Sequence, residues 1–75
     1  MKNVQNFTAI IEKENDGFVA LCPELDIASQ GNTVEEAKAN LQEAIELFFE
    51  HASKNEITSR LKTDVFITNV QIAVA

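Results

Sequence analysis

Between Gly31 and Val34 the spacing of apolar residues changes from two to about 3.6, and this switch fixes the kind of fold the chain can form. Downstream of it, Val34, Ala37, Leu41, Ala44, Ile45, Phe48 and Ala52 fall on one stripe of a helix. Glu35, Glu36, Glu43, Glu46 and Glu50 fall on the opposite side. Thr33 with Glu36 three residues later is a capping-box signature, in which the hydroxyl accepts an orphan amide and the carboxylate reaches back, so the helix begins at Val34. Ser53 and Glu56 repeat the spacing. A second, shorter helix is therefore expected over residues 54 to about 61, and the first stops near Ala52.

Upstream, residues 4 to 12 (VQNFTAIIE) and 18 to 22 (FVALC) are rich in β-branched and aromatic side chains. Asn15, Asp16 and Gly17 between them tolerate positive φ and predict a hairpin turn. Pro23 ends the regular pairing of the second strand, and residues 26 to 30 (DIASQ) return as a third short strand before Gly31 and Asn32 break it. Residues 65 to 75 (VFITNVQIAVA) have high β propensity and no helical stripe, which predicts a fourth strand. The expected class is α+β: a single β-β-β-α-(short α)-β domain over residues 1 to 75. A right-handed crossover would set the last strand parallel to the first, giving a four-stranded mixed sheet with the long helix on one face.

Both faces of that sheet are apolar. In the second strand Phe18, Ala20 and Cys22 alternate with Val19 and Leu21, and in the first Phe7, Ala9 and Ile11 alternate with Thr8 and Ile10. One helix cannot cover two faces. A chain of 75 residues, moreover, buries only about 60% of the surface its unfolded form exposes. A lone cysteine provides no internal disulfide and no ligand cluster suggests zinc, so a homodimer or higher homo-oligomer, or another protein, is expected to supply the remaining burial.

Twelve acidic side chains against six basic ones give a net charge of −6, the wrong sign for neutralising phosphates, so direct nucleic-acid binding is not expected. The acidity is local: residues 24 to 53 carry −6, while the flanking stretches nearly cancel. No apolar run reaches the roughly 18 residues of a membrane span, and MKNVQNF lacks the apolar core of a signal peptide. A cytoplasmic protein with no membrane contact is the expectation.

Reactive chemistry has few carriers here. His51 is the only histidine, and no Ser/His/Asp set, glycine-rich phosphate loop or HExxH spacing accompanies it; a cationic imidazole at that helix end interacts favourably with the dipole. Cys22 in a strand reads as a small buried hydrophobe. Two-metal nuclease chemistry needs clustered acids, yet the first strand reads Phe7-Thr8-Ala9-Ile10-Ile11 at its centre, and Glu12, Glu24 and Asp26 read as turn and surface acids. The sequence thus predicts no enzyme, no catalytic or metal-binding residue and no cofactor. A one-sign helix face instead favours a basic partner, because complementary fields speed encounter and exclude wrong partners. Leu47 lies on that acidic side as a potential anchor.

Residues 7 to 49, FTAIIEKENDGFVALCPELDIASQGNTVEEAKANLQEAIELFF, resemble the N-terminal domain of HicB antitoxins: an FTA-type first strand, an acidic glycine-containing hairpin, CPEL, SQG, then TxEEA opening the helix. The ending DVFITNVQIAVA is similar to that of short members of the family. The resemblance implies a degenerate ribonuclease H-like fold without nuclease activity. It also implies a type II toxin–antitoxin function: binding and masking a small basic HicA-like toxin that cleaves messenger RNA. The helix-turn-helix or ribbon-helix-helix module that many members carry has no counterpart in these residues, so DNA binding is not carried over.

On that reading the candidate contact residues are Pro23, Glu24, Leu25, Asp26, Ser29 and Gln30 in the motif loop and third strand, with Glu43, Glu46, Leu47 and Glu50 on the helix. Two alternatives belong to other classes. One is a residual metal-dependent nuclease relying on Glu12 or Asp26; the other is an orphan oligomeric binding domain without a toxin.

Overall fold

The structure, a computed structural model, describes residues 4–62 and 64–75. Three strands, β1 (Ile10–Glu14), β2 (Gly17–Cys22) and β3 (Ile27–Gly31), form an antiparallel sheet in the order β1-β2-β3, and two helices follow, α1 (Val34–His51) and α2 (Lys54–Arg60). The hairpin closes through Asn15 and Asp16, with Glu14 opposite Gly17. Asn15 takes the left-handed conformation at φ 55, which asparagine tolerates better than most residues. Asp26 adopts the same conformation. That backbone cannot continue a strand, so β3 begins one residue later than the sequence suggests.

Register separates the faces. Ile11 pairs with Ala20 and Ala20 with Ser29, a row that looks toward α1; Ile10 pairs with Leu21 and Leu21 with Ala28, a row that looks away. Ala20, Cys22, Leu25, Ala37 and Leu41 are buried together as the core, flanked by Phe7, Ile11, Phe18, Ile45 and Phe48. On the opposite face Ile10 remains 40% exposed and Ala28 is also exposed, so the single helical layer leaves the second apolar face partly in water, as the alternation predicts.

Both helices start where their caps dictate. Thr33 accepts the Glu36 N–H at 3.0 Å, while the Glu36 carboxylate accepts the Asn32 N–H at 3.1 Å, one residue before the cap. Ser53 and Glu56 form the complete reciprocal box. Asn40 donates its side-chain amide to the Gln30 carbonyl at 2.7 Å and ties α1 to β3.

Gly31 makes this close approach possible. A Cβ there would lie 2.5 Å from the Ala37 nitrogen, so only glycine lets the strand end meet the helix start.

The C-terminal region departs from expectation. Residues 64–75 form neither helix nor strand, so among the described residues the sheet has three antiparallel strands and not four in a mixed arrangement. A strand exists only beside a neighbour that takes up its amides and carbonyls, and within one chain this segment pairs with none. Residues 4–9, the first part of the expected first strand, likewise carry no sheet pairing, because β2 ends at Cys22 before Pro23. Phe7 still packs on Phe49 with ring centroids 5.6 Å apart.

Candidate functional site

The candidate residues separate into two groups. Along α1, Glu43, Glu46, Leu47 and Glu50 are all exposed, and their i, i+3 and i, i+4 spacings put them on one patch. Glu43 and Glu50 bracket Leu47, which is 47% exposed. The arrangement is an apolar anchor ringed by carboxylates on a rigid 18-residue helix.

The loop group does not form a second such patch. Leu25 is fully buried, so it is a core residue and not a contact residue; its side chain contributes about 2 kcal/mol by leaving water. Ser29 is half-buried and faces α1, whereas Gln30 is exposed on the other side of the strand. Pro23 is half-buried and Asp26 exposed at the turn.

Glu24 is engaged inside the chain. Its carboxylate accepts the Thr8 N–H, 3.1 Å from each oxygen, and the Thr8 hydroxyl at 2.6 Å. The Cys22 thiol donates to the same group at 3.4 Å. Partial burial works to raise the carboxyl pKa, but the Thr8 hydroxyl, the Glu24 and Thr8 amides and the Cys22 thiol outweigh it and hold the group below the usual carboxylate range. Cys22 is shifted the other way. Burial pushes its thiol up and the adjacent Glu24 charge adds to the shift, while backbone amides at Leu25 and Glu24 partly offset it.

A residue that sequence reasoning missed organises this end of the molecule. Arg60, at the end of α2, donates to the Leu25 carbonyl at 3.1 Å and the Asp26 carbonyl at 3.0 Å, and its guanidinium lies 5.5 Å from the centroid of the Phe48 ring. The Lys62 N–H adds a bond to the Glu24 carbonyl. The Ser53-x-x-Glu56 box announces α2, but nothing local announces that its last residue fastens a loop 35 positions upstream.

Among the described residues no three His, Cys, Asp or Glu side chains are placed to hold a metal ion together, so Glu12, Glu24 and Asp26 do not converge. No described helix is long and apolar enough to cross a membrane. An open groove of about 1100 Å³ runs between the segment preceding β1 and α1, with Leu41, Ile45 and Phe49 on its apolar floor and Glu46 and Glu50 on its rim.

Against known proteins, a UPF0150 protein of Helicobacter pylori is 38% identical over 68 residues, spanning 89% of this chain and 94% of that protein. The chain belongs to the UPF0150 family. Two UPF0150 proteins of Synechocystis are 51% and 53% identical over 51 and 45 residues, and these alignments span 65% and 62% of the Synechocystis chains. No family model matches the sequence. No solved structure matches it significantly. For this UPF0150 protein the helix patch is the strongest candidate site, since it combines exposure, one-sign charge and a rigid frame.

Proposed function

We propose that this UPF0150 protein is an antitoxin of HicB type, with a degenerate ribonuclease H-like fold, which neutralises a small basic HicA-like mRNA-cleaving toxin by direct binding in the cytoplasm. On this reading it acts by masking and not by catalysis. The observation that carries the proposal is the α1 patch, in which Leu47 stands among Glu43, Glu46 and Glu50. A desolvated apolar anchor supplies affinity, while the surrounding carboxylates attract a basic surface and repel acidic ones. The HicB-like order of FTA, CPEL, SQG and TxEEA supports the same reading. So does the net charge of −6, concentrated between residues 24 and 53.

Co-expression with a small basic toxin gene from the same locus tests it. The chain is expected to relieve growth arrest and to co-purify with the toxin. Glu46→Lys combined with Glu50→Lys is expected to slow association by about tenfold and flatten its salt dependence, because rim charges act mainly on the encounter rate. Leu47→Asp is expected to speed dissociation. Persistent growth arrest in the presence of the folded wild-type chain refutes the proposal.

A further inference from the structure

The segment beyond α2 has the sequence of a strand and the surroundings of none. From Thr68 on its large side chains alternate: Val70, Ile72 and Val74 share one parity with Phe66 and Thr68, while Asn69, Gln71 and Ala73 occupy the other, which holds large residues only at Val65 and Ile67 before the alternation sets in. Phe66, Val70, Ile72 and Val74 are 87%, 83%, 74% and 86% exposed. Isolated exposed apolar residues are ordinary, but a whole alternating row is not. The projection also shows in the overall dimensions. The radius of gyration is 14.6 Å, against about 11 Å for a compact chain of this length.

The same molecule carries a matching acceptor. β1 and β3 are the two edges of the sheet; among the described residues β1 has no sheet neighbour on its outer side, and beside its approach, unlike that of β3, lies the groove floored by Leu41, Ile45 and Phe49. An open edge presents unpaired amides and carbonyls that take a further strand. We propose that residues 64–75 of each chain add as a fourth strand along the β1 edge of a second copy, the two chains exchanging tails about a twofold axis.

Three observations select a second copy as the occupant. First, every chain bears both the free strand and the free edge, so one twofold operation satisfies both. Lys62 is bonded to Glu24 and Glu24 to Thr8, in the segment preceding β1, and yet residues 64–75 pair with no strand of their own chain. Second, residues 65–75 contain no charged side chain. Two chains of net charge −6 repel each other elsewhere, so their contact runs through the neutral segment, whereas a basic partner gains no electrostatic attraction from it. Third, the twelve residues of the tail and the thirteen that line the groove would both be contributed by each copy, within the roughly 20–30 residues a side of a stable interface.

The test uses the full chain without any toxin. Light scattering at micromolar concentration is expected to give twice the chain mass of 8.3 kDa. In a mixture of isotope-labelled and unlabelled copies, filtered NOEs are expected between the Ile72 and Val74 methyls of one copy and the Leu41 and Ile45 methyls of the other. Val70→Pro combined with Gln71→Pro removes an inward-facing amide whichever register the strand adopts. It is expected to return the mass to 8.3 kDa with the helical circular dichroism unchanged. A monomeric wild type, NOEs confined within one copy, or a folded double-proline variant of undiminished mass would each overturn the proposal. Because no toxin is present, its failure leaves the toxin-neutralising reading to stand or fall on its own assay.

Discussion

Replacing Glu24 with alanine removes the carboxylate that accepts from Thr8 in the segment preceding β1, and the cost follows from the geometry. Three donors lose their partner: the Thr8 amide, the Thr8 hydroxyl at 2.6 Å and the Cys22 thiol at 3.4 Å. Bonds to a carboxylate contribute about 1.5–3 kcal/mol each when well formed. Here the thiol bond is long and the site is only half-buried, so a net loss of about 2 kcal/mol is expected for the whole set. In a domain of this length that lowers the melting temperature by roughly 10 °C. Thermal melts followed by circular dichroism, all at one protomer concentration because association shifts the midpoint, read the change directly. Glu24→Gln keeps a neutral acceptor and should lose about half as much, and Thr8→Val isolates the hydroxyl at about 1 kcal/mol. Acidity adds an independent check. The folded Glu24 carboxyl releases its proton more readily than the unfolded one, so its stabilisation is complete above the unfolded pKa and vanishes as pH falls through the folded value. The stability gap between wild type and Glu24→Gln should therefore be widest near neutrality and close below about pH 4. A Glu24→Ala protein melting within about 2 °C of wild type would refute the anchoring role.

Two further outcomes follow from the packing. Gly31→Ala places a Cβ 2.5 Å from the Ala37 nitrogen and 2.8 Å from the Glu36 carbonyl carbon, backbone atoms that cannot swing aside. A loss of about 1–3 kcal/mol is expected in a denaturant titration, and an unchanged midpoint would show that β3 and α1 separate freely. Cys22 is fully buried with its thiol pushed up, so alkylation by iodoacetamide should be slow in the native protein and rise with the unfolded fraction; labelling at the rate of a free thiol would contradict that burial.

Much of this architecture was legible in the chain because its determinants are local. Thr33 and Ser53 cap helices from adjacent residues, Asn15 turns the hairpin by its own tolerance of positive φ, and the Ala37-Leu41-Ile45-Phe48 stripe selects the face that α1 buries. The helix patch of Glu43, Glu46, Leu47 and Glu50 was legible for the same reason, since helical periodicity alone places them together. The loop was not. CPEL reads equally well as a contact surface or as a closure, and only the fold decides that Leu25 fills the core, that Glu24 reaches back 16 residues to Thr8, and that Arg60 clasps the turn from 35 residues downstream. None of these partners leaves a periodic trace, because each depends on where distant elements end.

The C-terminal segment separates propensity from structure most sharply. Phe66, Val70, Ile72 and Val74 suit a half-buried pleated surface, and β propensity measures that fit and not an intrinsic backbone preference. A helix meets its own hydrogen-bonding requirement and so could be read within one chain; a strand cannot, and its partner need not belong to the same molecule. The charge pattern bears on which molecule that is. Carboxylates crowd residues 24 to 53 while residues 65 to 75 carry none, so the surface suited to a basic protein and the segment suited to an identical acidic one are kept apart along the sequence. They meet in space only at the groove rim, where Glu46 and Glu50 border the floor that an incoming strand would cover. An uncharged strand can lie beside those carboxylates without repulsion, whereas a charged one would be either expelled or captured by the wrong partner.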